Sequence, residues 1–359
     1  MIEDFNLIQI IEPLQSWFLN HARVLPWREN PQAYYVWVSE IMLQQTRVEA
    51  VKPYFARFIE ALPNVQALAA CPEEQYLKLW EGLGYYNRIR NMNAAARQIV
   101  EDYGGVIPDS YEELVKLKGI GSYTAGAIAS IAYNRPVPAV DGNVLRVIAR
   151  VTADDGDIMQ QSVKKKVEKH LQALMEEQSK KGLVPGTFNQ ALMELGALVC
   201  VPNGEPHCTE CPWQTFCEAR LQGRTEELPV RSKAKKRRKE AKTVFVIRDG
   251  EQIVLHKRAK KGLLAGLYEL PNCPGHLTAE EGLEYVKKLG VKPLRILPLR
   301  EAKHIFSHVE WDMKGYMIYI EEAEQPDESL IFAKIDEATE RYAVPSAFSA
   351  YWDVAKRMP

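Results

Sequence analysis

The spacing of apolar residues changes once along the chain, near residue 240. Before that point apolar residues recur three and four positions apart, as Val51, Phe55 and Phe58 do, which is typical of amphipathic helices. Thr46 and Glu49 fit a capping box at the start of this helix. Similar patterns predict helices over residues 65–80, 89–103, 123–133, 144–151, 162–178 and 187–199. This first part of the chain therefore predicts an all-α domain.

After residue 243 the spacing becomes that of β-strands. Residues 243–248 are mostly apolar, Asp249-Gly250 is a turn signal, and residues 252–257 continue as a second strand. Together they predict a β-hairpin. Residues 316–320 predict a further strand, so we expect an α+β fold for this second part.

Charge separates the two parts. The 359 residues carry a formal net charge of −1, which by itself gives no support to nucleic-acid binding. Residues 223–242 hold nine basic and three acidic side chains without apolar periodicity. We therefore predict a basic interdomain linker there, between domains of residues 1–222 and 243–359. Such a tether gains counterion-release energy beside a duplex.

The apolar runs and the N-terminus indicate where the protein is located. No apolar run is long enough to span a membrane, and the N-terminus is acidic where a secretory signal is basic, so we expect a cytoplasmic protein with no membrane partner.

Four of the six cysteines fall within residues 200–217, and in a reducing compartment grouped thiols indicate a metal, not disulfides. Their spacing alone fits either zinc or an iron-sulfur cluster. The four are Cys200, Cys208, Cys211 and Cys217.

A glycine-rich turn opens a helical segment at Gly119-Ile-Gly121. Glycine lets a backbone approach a partner closely, and the free N–H groups at a helix start suit a phosphate. Asp141 and Asn143 follow shortly afterwards. Without a function, Gly119-Ile-Gly121 would be an ordinary turn and Asp141 an ordinary helix N-cap.

Glu40 is the second candidate acid. It lies in an apolar helical stretch with Gln44 one turn later on the same face. A glutamate in that setting is either a surface residue or a desolvated acid with a raised pKa.

Several strings together resemble one family of DNA repair enzymes. They are Ser39-Glu-Ile-Met-Leu-Gln-Gln-Thr46, Trp27-Arg28, Glu81-Gly-Leu-Gly-Tyr-Tyr86 and the glycine hairpin. Over essentially the whole chain they resemble adenine DNA glycosylases of the MutY family, in the endonuclease III helix-hairpin-helix superfamily. The resemblance implies a monofunctional base excision repair enzyme that flips out and hydrolytically removes adenine mispaired with 8-oxoguanine or guanine. Its partner would be double-stranded DNA holding such a mispair, and we expect a monomer.

The resemblance also assigns the chemistry. Adenine leaves readily only when protonated, and its departure leaves a cationic sugar, so one acid must donate a proton while a carboxylate stabilises the cation. Glu40 is implied as the acid that protonates N7, Asp141 as the carboxylate, and Asn143 as the residue that orients them. Tyr123 stands where bifunctional relatives carry a lysine, and a phenol cannot form their imine. From the sequence alone, Tyr123 fits a packing aromatic equally well.

DNA contacts follow by the same resemblance. A base must leave the stack to reach a pocket. Gln45 and Tyr85 are implied to enter the duplex, and Gly119 and Gly121 to hold its backbone. As residue types alone, Gln45 and Tyr85 also fit ordinary surface or core positions. The adenine pocket is implied to consist of Arg23, Leu25, Trp27 and Gln190.

The family carries one 4Fe-4S cluster per chain, on cysteines separated by six, two and five residues. Here the first gap has seven, which puts the shape of that loop in question more than the cluster itself.

The second domain resembles a Nudix fold without its hydrolase. Residues 262–271 resemble the entry to a Nudix box, but the acidic helix that would hold magnesium does not follow. Phe306-Ser307-His308 resembles the loop with which the family recognises 8-oxoguanine. The alternatives to this interpretation are a bifunctional endonuclease III-like glycosylase, and a catalytically silent iron-sulfur DNA-binding protein.

Overall fold

The chain folds into two units, and the second takes a segment from within the sequence of the first. The computed structural model describes residues 2–232, 236–323 and 327–357. One unit comprises Met1–Ala70 and Arg90–Lys233, and the other comprises Cys71–Ile89 and Ala234–Pro359. In the described part of the first unit every regular element is helical, as the apolar spacing predicts.

Thirteen α-helices precede the sheet in the described residues. In chain order they are α1 (Ile11–His21), α2 (Pro26–Glu29), α3 (Ala33–Leu43), α4 (Val48–Ala61), α5 (Val65–Ala70), α6 (Glu73–Leu79), α7 (Asn87–Tyr103), α8 (Tyr111–Leu114), α9 (Ser122–Ala127), α10 (Gly142–Val151), α11 (Gln161–Ser179), α12 (Pro185–Leu198) and α13 (Glu218–Leu221). A π-helical turn, Ile128–Ala132, continues α9. Helix α6 belongs to the second unit.

The core of the first unit gathers around α10. Every residue of α10 from Val144 to Val151 is buried, and the helix packs with α1, α11 and α12. A Cβ atom on Gly126 of α9 would lie 2.2 Å from the carbonyl oxygen of Pro138. Only glycine therefore allows α9 to lie this close to the segment that leads into Asp141.

Two local predictions at the start of α4 are wrong. The N-cap of α4 is Arg47 without a side-chain cap, so Thr46 and Glu49 form no capping box. Helix α3 ends at Leu43, and Gln44 lies beyond it. The physical reason is Gln45, whose backbone turns through a φ of 60° and so interrupts the helical path between α3 and α4.

The second unit is built on a mixed sheet. Its strands are β1 (Arg238–Asp249), β2 (Gln252–Lys257), β3 (Tyr268–Glu269), β4 (Asn272–Pro274), β5 (Val291–Ile305), β6 (Val309–Ala323) and β7 (Leu330–Lys334). The order is β3-β2-β1-β6-β5, with β4 on β1 and β7 on β2. Strands β1 and β6 run parallel, and the other pairs are antiparallel.

Both faces of β1 are covered, which explains its unbroken apolar run. Val244 and Val246 face a core that includes α15 (Ile335–Arg341) and α16 (Ser349–Arg357), whereas Phe245 and Ile247 face α14 (Ala279–Lys288). Asp249 pairs with Gln252 across the turn. The predicted hairpin is therefore confirmed.

The predicted linker is only partly described. Residues 233–235 lie outside the described residues, and β1 already begins at Arg238. Before the gap, the backbone carbonyl of Leu228 accepts a hydrogen bond from Arg150 at 2.8 Å. Within the described ranges, no helix has the length and apolar character needed to cross a membrane.

Candidate active site

One cavity of the first unit brings together the four predicted catalytic residues and the residues of the predicted adenine pocket. Its volume is about 970 Å³, within the range of small-molecule sites. The predicted residues that line it are Arg23, Leu25, Trp27, Glu40, Gln45, Tyr123, Asp141, Asn143 and Gln190. Arg28, Met193 and Glu194 also line it, and the sequence had suggested no role for them.

Glu40 is a buried acid, so the surface alternative is wrong. Helix α3 carries it, its residue is only 6% exposed, and the Tyr123 hydroxyl donates a hydrogen bond to its carboxyl group. Burial raises the pKa of Glu40 to about 7, with a further contribution from Asp141, against the hydrogen bond from Tyr123 and the charge of Arg28. The carboxyl group is therefore poised to hold a proton near neutral pH.

Asp141 caps α10 and faces the same cavity. Its Oδ1 accepts a hydrogen bond from the Val144 N–H at 2.8 Å, so the N-cap interpretation holds. Its Oδ2 accepts another from Asn143 Nδ2 at 2.8 Å. Burial raises the pKa of Asp141, while these hydrogen bonds oppose the shift because they stabilise the carboxylate. Two carboxyl groups with different surroundings thus share one cavity.

A buried ion cluster forms another wall. Glu194 of α12 accepts hydrogen bonds from Arg23 Nε at 2.7 Å, from Arg23 Nη2 at 2.8 Å and from Arg28 Nη2 at 2.9 Å. Burial alone would raise the pKa of Glu194, but the hydrogen bonds from Arg23 and Arg28 outweigh it and lower the pKa to about 2. Glu194 is therefore ionised and fixes both arginines at the cavity wall.

Arg146 connects the Asn143 side chain to the backbone of the first grouped cysteine. Its Nη2 donates to Asn143 Oδ1 at 2.9 Å and to the Gly196 carbonyl at 2.7 Å. Its Nε donates to the Cys200 carbonyl at 2.8 Å. The side chain that orients Asp141 is thus itself held by a buried arginine on α10.

The four grouped cysteines line a second cavity, together with Arg150 and Trp213. All four are free thiols, and Arg150 Nη1 lies 3.3 Å from Cys200 Sγ. Burial raises the pKa of Cys211 to about 12 and also raises that of Cys217. In the described ranges no three His, Cys, Asp or Glu side chains are grouped as ligands of one metal ion. A 4Fe-4S cluster takes four cysteine thiolates, and four cysteines line this cavity, so the donor set fits that group.

The glycine hairpin joins α8 and α9. Gly119 has a φ of 77°, and a Cβ atom there would lie 2.6 Å from Asn91 Cβ, so glycine is required. Gly121 is the N-cap of α9, and a Cβ atom there would meet nothing within 4 Å. A side chain at Gly121 would therefore point into open space at the start of α9.

Known proteins resemble both parts of the chain. Residues 38–177 match the HhH-GPD superfamily of base excision DNA repair proteins, and residues 243–354 match the Nudix domain. The adenine DNA glycosylase of Mus musculus is 36% identical over 368 residues, which cover 86% of this chain and 70% of the mouse protein. The chain belongs to the adenine DNA glycosylase family. The adenine DNA glycosylase of Buchnera aphidicola subsp. Baizongia pistaciae is 34% identical over 304 residues, covering 83% of this chain and 82% of its own.

Solved structures extend the likeness to the fold of the catalytic part. An endonuclease III–DNA complex superposes with a TM-score of 0.50 at 23% identity, covering 61% of this chain and 98% of that protein. A thermostable thymine-DNA glycosylase gives 0.51 at 24% identity, covering 60% and 96%. The predicted helix-hairpin-helix DNA glycosylase domain followed by a Nudix-like domain is confirmed.

In this member of the adenine DNA glycosylase family, the three-residue loop predicted from the sequence forms the turn between β5 and β6. Phe306 packs edge-on against Trp311, with ring centroids 4.8 Å apart, and its N–H donates to the Val309 carbonyl at 2.8 Å. Ser307 and His308 are exposed at the tip. Tyr85, half exposed in the second unit with a φ of 47°, lies 2.9 Å from Ser307 Oγ through its hydroxyl oxygen.

Helix α14 follows residues 262–271, which resemble the entry to a Nudix box. Glu281 is occupied in a capping box with Thr278, and Glu284 pairs with Lys287. These contacts agree with the sequence-based interpretation of a Nudix-like domain without the hydrolase.

In this family member two buried polar residues of α12 hold parts of the cavity wall, and the sequence alone gives them no role. Asn189 is fully buried in α12, donates to Ser130 Oγ and to the Val137 carbonyl at 2.8 Å each, and accepts from the Ala139 N–H at 3.1 Å. It thereby fixes the segment that leads into Asp141. Glu194 is the other. Both are polar residues among the apolar residues of α12, and this contrast is the signal that the sequence offers.

The burial of Glu40 has a measurable effect on stability. Because its folded-state pKa of about 7 exceeds the ordinary value of 4.5, the folded chain holds more protons than the unfolded chain between these limits. Its contribution to the free energy of unfolding should therefore fall as pH rises through this window, by up to about 3 kcal/mol. Urea denaturation of the parent and Glu40→Gln proteins should show the gap between their stabilities changing by this amount from pH 4.5 to 7. Parallel curves would mean that Glu40 titrates normally.

Proposed function

We propose that this chain hydrolytically removes adenine that stands opposite 8-oxoguanine or guanine in double-stranded DNA. The observation that carries the proposal is the pairing of Glu40 and Asp141 in one cavity. Glu40 holds a proton near neutral pH, whereas Asp141 accepts hydrogen bonds on both carboxyl oxygens. An acid beside a hydrogen-bonded carboxylate is what cleavage of an N-glycosidic bond with a cationic sugar requires.

In the proposed reaction these groups act in sequence. Adenine leaves the base stack and enters the cavity, where Glu40 donates its proton to N7. The glycosidic bond breaks, adenine departs as a neutral base, and Asp141 stabilises the positive charge on the sugar. Water adds to the anomeric carbon, and its proton returns to Glu40. Tyr123, whose pKa lies well above its usual range because of burial and the two carboxyls, remains a neutral donor to Glu40 throughout.

Residues other than Glu40 and Asp141 would contact the DNA duplex. Gln45 is exposed and has a φ of 60°, and Tyr85 combines half exposure with a φ of 47°. Left-handed backbone at residues other than glycine is uncommon and concentrates at functional sites. Each of these side chains would enter the duplex near the lesion, and the N–H groups at the start of α9, beyond Gly121, would hold a phosphate.

The base opposite adenine would be recognised at the β5–β6 turn. Phe306 anchors the turn on Trp311, and Ser307 and His308 are exposed at its tip, where their polar groups would contact a base edge. A good polar contact to a base is worth about 1–3 kcal/mol of discrimination.

The deciding experiment uses three duplexes that carry adenine opposite 8-oxoguanine, guanine or thymine. Purified protein should release free adenine from the first two, fastest from the 8-oxoguanine pair, and leave an intact sugar-phosphate strand. A Ser307→Ala/His308→Ala variant should lose preference for 8-oxoguanine more than it loses adenine release. Strand cleavage by the protein itself would favour a bifunctional enzyme, and absence of any released base would favour a DNA-binding protein.

The residue at position 123 determines whether the enzyme only hydrolyses the glycosidic bond or also forms an imine with the sugar. We expect Tyr123→Lys to place an amine in the cavity, where it can attack the sugar and form an imine. Borohydride should then trap a covalent protein–DNA adduct that the parent protein does not form, visible as a shifted band on a denaturing gel. Tyr123→Phe is the matched control and should give no adduct. Trapping of the parent protein at equal yield would contradict the monofunctional mechanism.

The grouped cysteines fit a 4Fe-4S cluster, and we propose that Cys200, Cys208, Cys211 and Cys217 hold one per chain. Such a cluster binds four thiolates and would offset the raised thiol pKa values, because a bound metal favours the deprotonated form. In this chain Arg146 donates hydrogen bonds to both the Cys200 carbonyl and the Asn143 side chain, and so connects the cysteine region to the active-site cavity. The need for reduced thiols is consistent with a cytoplasmic location. Purified protein should contain about four iron atoms per chain, and stoichiometric zinc instead would overturn the assignment.

A further inference from the structure

A segment from the glycosylase part of the sequence belongs structurally to the second unit. Residues Cys71–Ile89 lie inside the HhH-GPD match, yet they fold with Ala234–Pro359. The segment contains α6 and the loop that carries Tyr85. Besides Tyr85, three of its side chains make polar contacts to residues 234–359, which we call the sheet domain. We call these contacts of Glu74, Lys78 and Glu81 the α6 clamp.

The first contact of the clamp is made by Glu74. Its Oε1 accepts a hydrogen bond from the Tyr268 hydroxyl at 2.7 Å and another from Lys257 Nζ at 3.0 Å. The Glu74–Lys257 pair is half exposed and contributes little. Tyr268 is different because its ring is buried against Tyr342, with centroids 4.6 Å apart. The hydroxyl is therefore a fixed donor that holds the start of α6.

The second contact lies at the end of α6. Glu81 Oε1 accepts a hydrogen bond from the Val344 N–H at 2.7 Å, and the other oxygen pairs with Lys78. Lys78 Nζ also donates to the Tyr342 carbonyl at 3.1 Å. The backbone of residues 342–344 is therefore held at two successive points.

The loop that follows the α6 clamp in the chain places Tyr85 beside the turn between β5 and β6. Gly82 and Gly84 have φ values of 97° and 68°, and the buried Trp80 donates from its indole N–H to the Gly84 carbonyl at 3.1 Å. The loop is thus tied to the end of α6. At its tip Tyr85 meets Ser307, oxygen to oxygen at 2.9 Å.

We propose that Glu74 and Glu81 are positioning residues for mispair discrimination. By fixing α6 on the sheet domain they hold Tyr85 beside Ser307, so that entry of Tyr85 into the duplex and contact with the base opposite adenine occur as one event. Neither glutamate touches the reacting atoms, and each acts through the Tyr85 loop. Small displacements of such a positioned group are enough to change rates. The inference rests on the proposed recognition of 8-oxoguanine.

The test compares single-turnover adenine release from 8-oxoguanine:adenine and guanine:adenine duplexes, with full-length protein. We expect Glu81→Ala to lower the preference for the 8-oxoguanine pair about tenfold while changing the guanine:adenine rate less than about twofold. Glu81→Gln should retain most of the preference because its amide oxygen still accepts from Val344. Glu101→Ala, at an exposed position on α7, is the control and should match the parent. An inactive fraction of protein lowers both rates equally, so mere loss of folding leaves the ratio unchanged.

A double-mutant cycle locates the effect. Tyr268→Phe and Glu74→Ala remove the same hydrogen bond from its two sides, so their combination should lower the ratio no further than either alone. Adding Ser307→Ala to Glu81→Ala should likewise give less than the product of the separate effects. Tyr268→Phe removes one oxygen atom, which keeps the test open if Glu81→Ala folds poorly.

The outcomes separate the two proposals. If the parent protein itself shows no preference for 8-oxoguanine, recognition by this chain is refuted and the positioning role falls with it. If the parent discriminates and the clamp variants discriminate equally well, or slow both substrates to the same degree, only the positioning role is refuted.

Discussion

Asp141→Asn should reduce single-turnover adenine release by about a thousandfold, roughly 4 kcal/mol of transition-state stabilisation, while leaving the fold and DNA binding intact. The amide lacks the negative charge that stabilises the sugar cation. Its oxygen still accepts the hydrogen bond from Val144, so α10 keeps its N-cap. Rates should be measured with excess enzyme on an 8-oxoguanine:adenine duplex, and binding by titration of the same labelled duplex.

Asp157→Asn is the matched control for this variant. Asp157 also accepts a backbone hydrogen bond two residues on, from the Met159 N–H at 2.9 Å, but it is not among the residues that line the cavity. The same substitution there should leave adenine release within about twofold of the parent rate. If Asp141→Asn retained a rate close to that of Asp157→Asn, the charge of Asp141 would have no part in the reaction.

Glu194→Ala should have the largest effect on stability, because it leaves two partly buried guanidinium groups without their shared carboxylate. Removing one partner of a buried ion pair typically costs about 3–5 kcal/mol. Arg23 and Arg28 would also lose their fixed positions at the cavity wall, so adenine release should fall as well. The free energy of unfolding should be measured by urea denaturation at pH 7.

A surface pair provides the comparison for Glu194. Glu177 pairs with Lys181 at 2.6 Å, but both side chains are exposed, so Glu177→Ala should not measurably shift the urea midpoint. The low pKa of Glu194 also determines how the free energy of unfolding changes with pH. Its stabilising contribution is present above the ordinary pKa of 4.5 and is lost as pH falls towards about 2, so parent and Glu194→Ala should converge in acid. A constant difference down to pH 2 would contradict the ion cluster.

Sequence alone reached the acid pair because local strings carry it. Glu40 sits in an apolar helical stretch, and Asp141 sits immediately before another, so spacing and residue type restrict what each can be. The same local view misplaced the ends of α3 and α4. A left-handed residue such as Gln45 is not signalled by apolar spacing, and the capping box predicted one residue away did not form.

Long-range pairing explains what sequence could not supply. Arg23 and Glu194 are 171 positions apart, and Glu74 and Tyr268 are 194 apart. A helix has the same apolar period whichever unit it packs on. The helical pattern of residues 65–80 therefore predicted helices correctly, but it could not indicate that α6 folds with the sheet domain. The ion cluster and the α6 clamp became visible only through the fold.

The shared ownership of α6 limits how this architecture can be recombined. A chimaera joined near residue 234 would combine a foreign sheet domain with a resident Glu74 and Glu81 that were matched to Tyr268 and Val344. An isolated C-terminal fragment would likewise lack the helix that meets these groups. Gene fusion or domain transplantation should therefore preserve these hydrogen bonds when the α6 segment and the sheet come from the same parent protein, so two distant stretches of sequence are best inherited together.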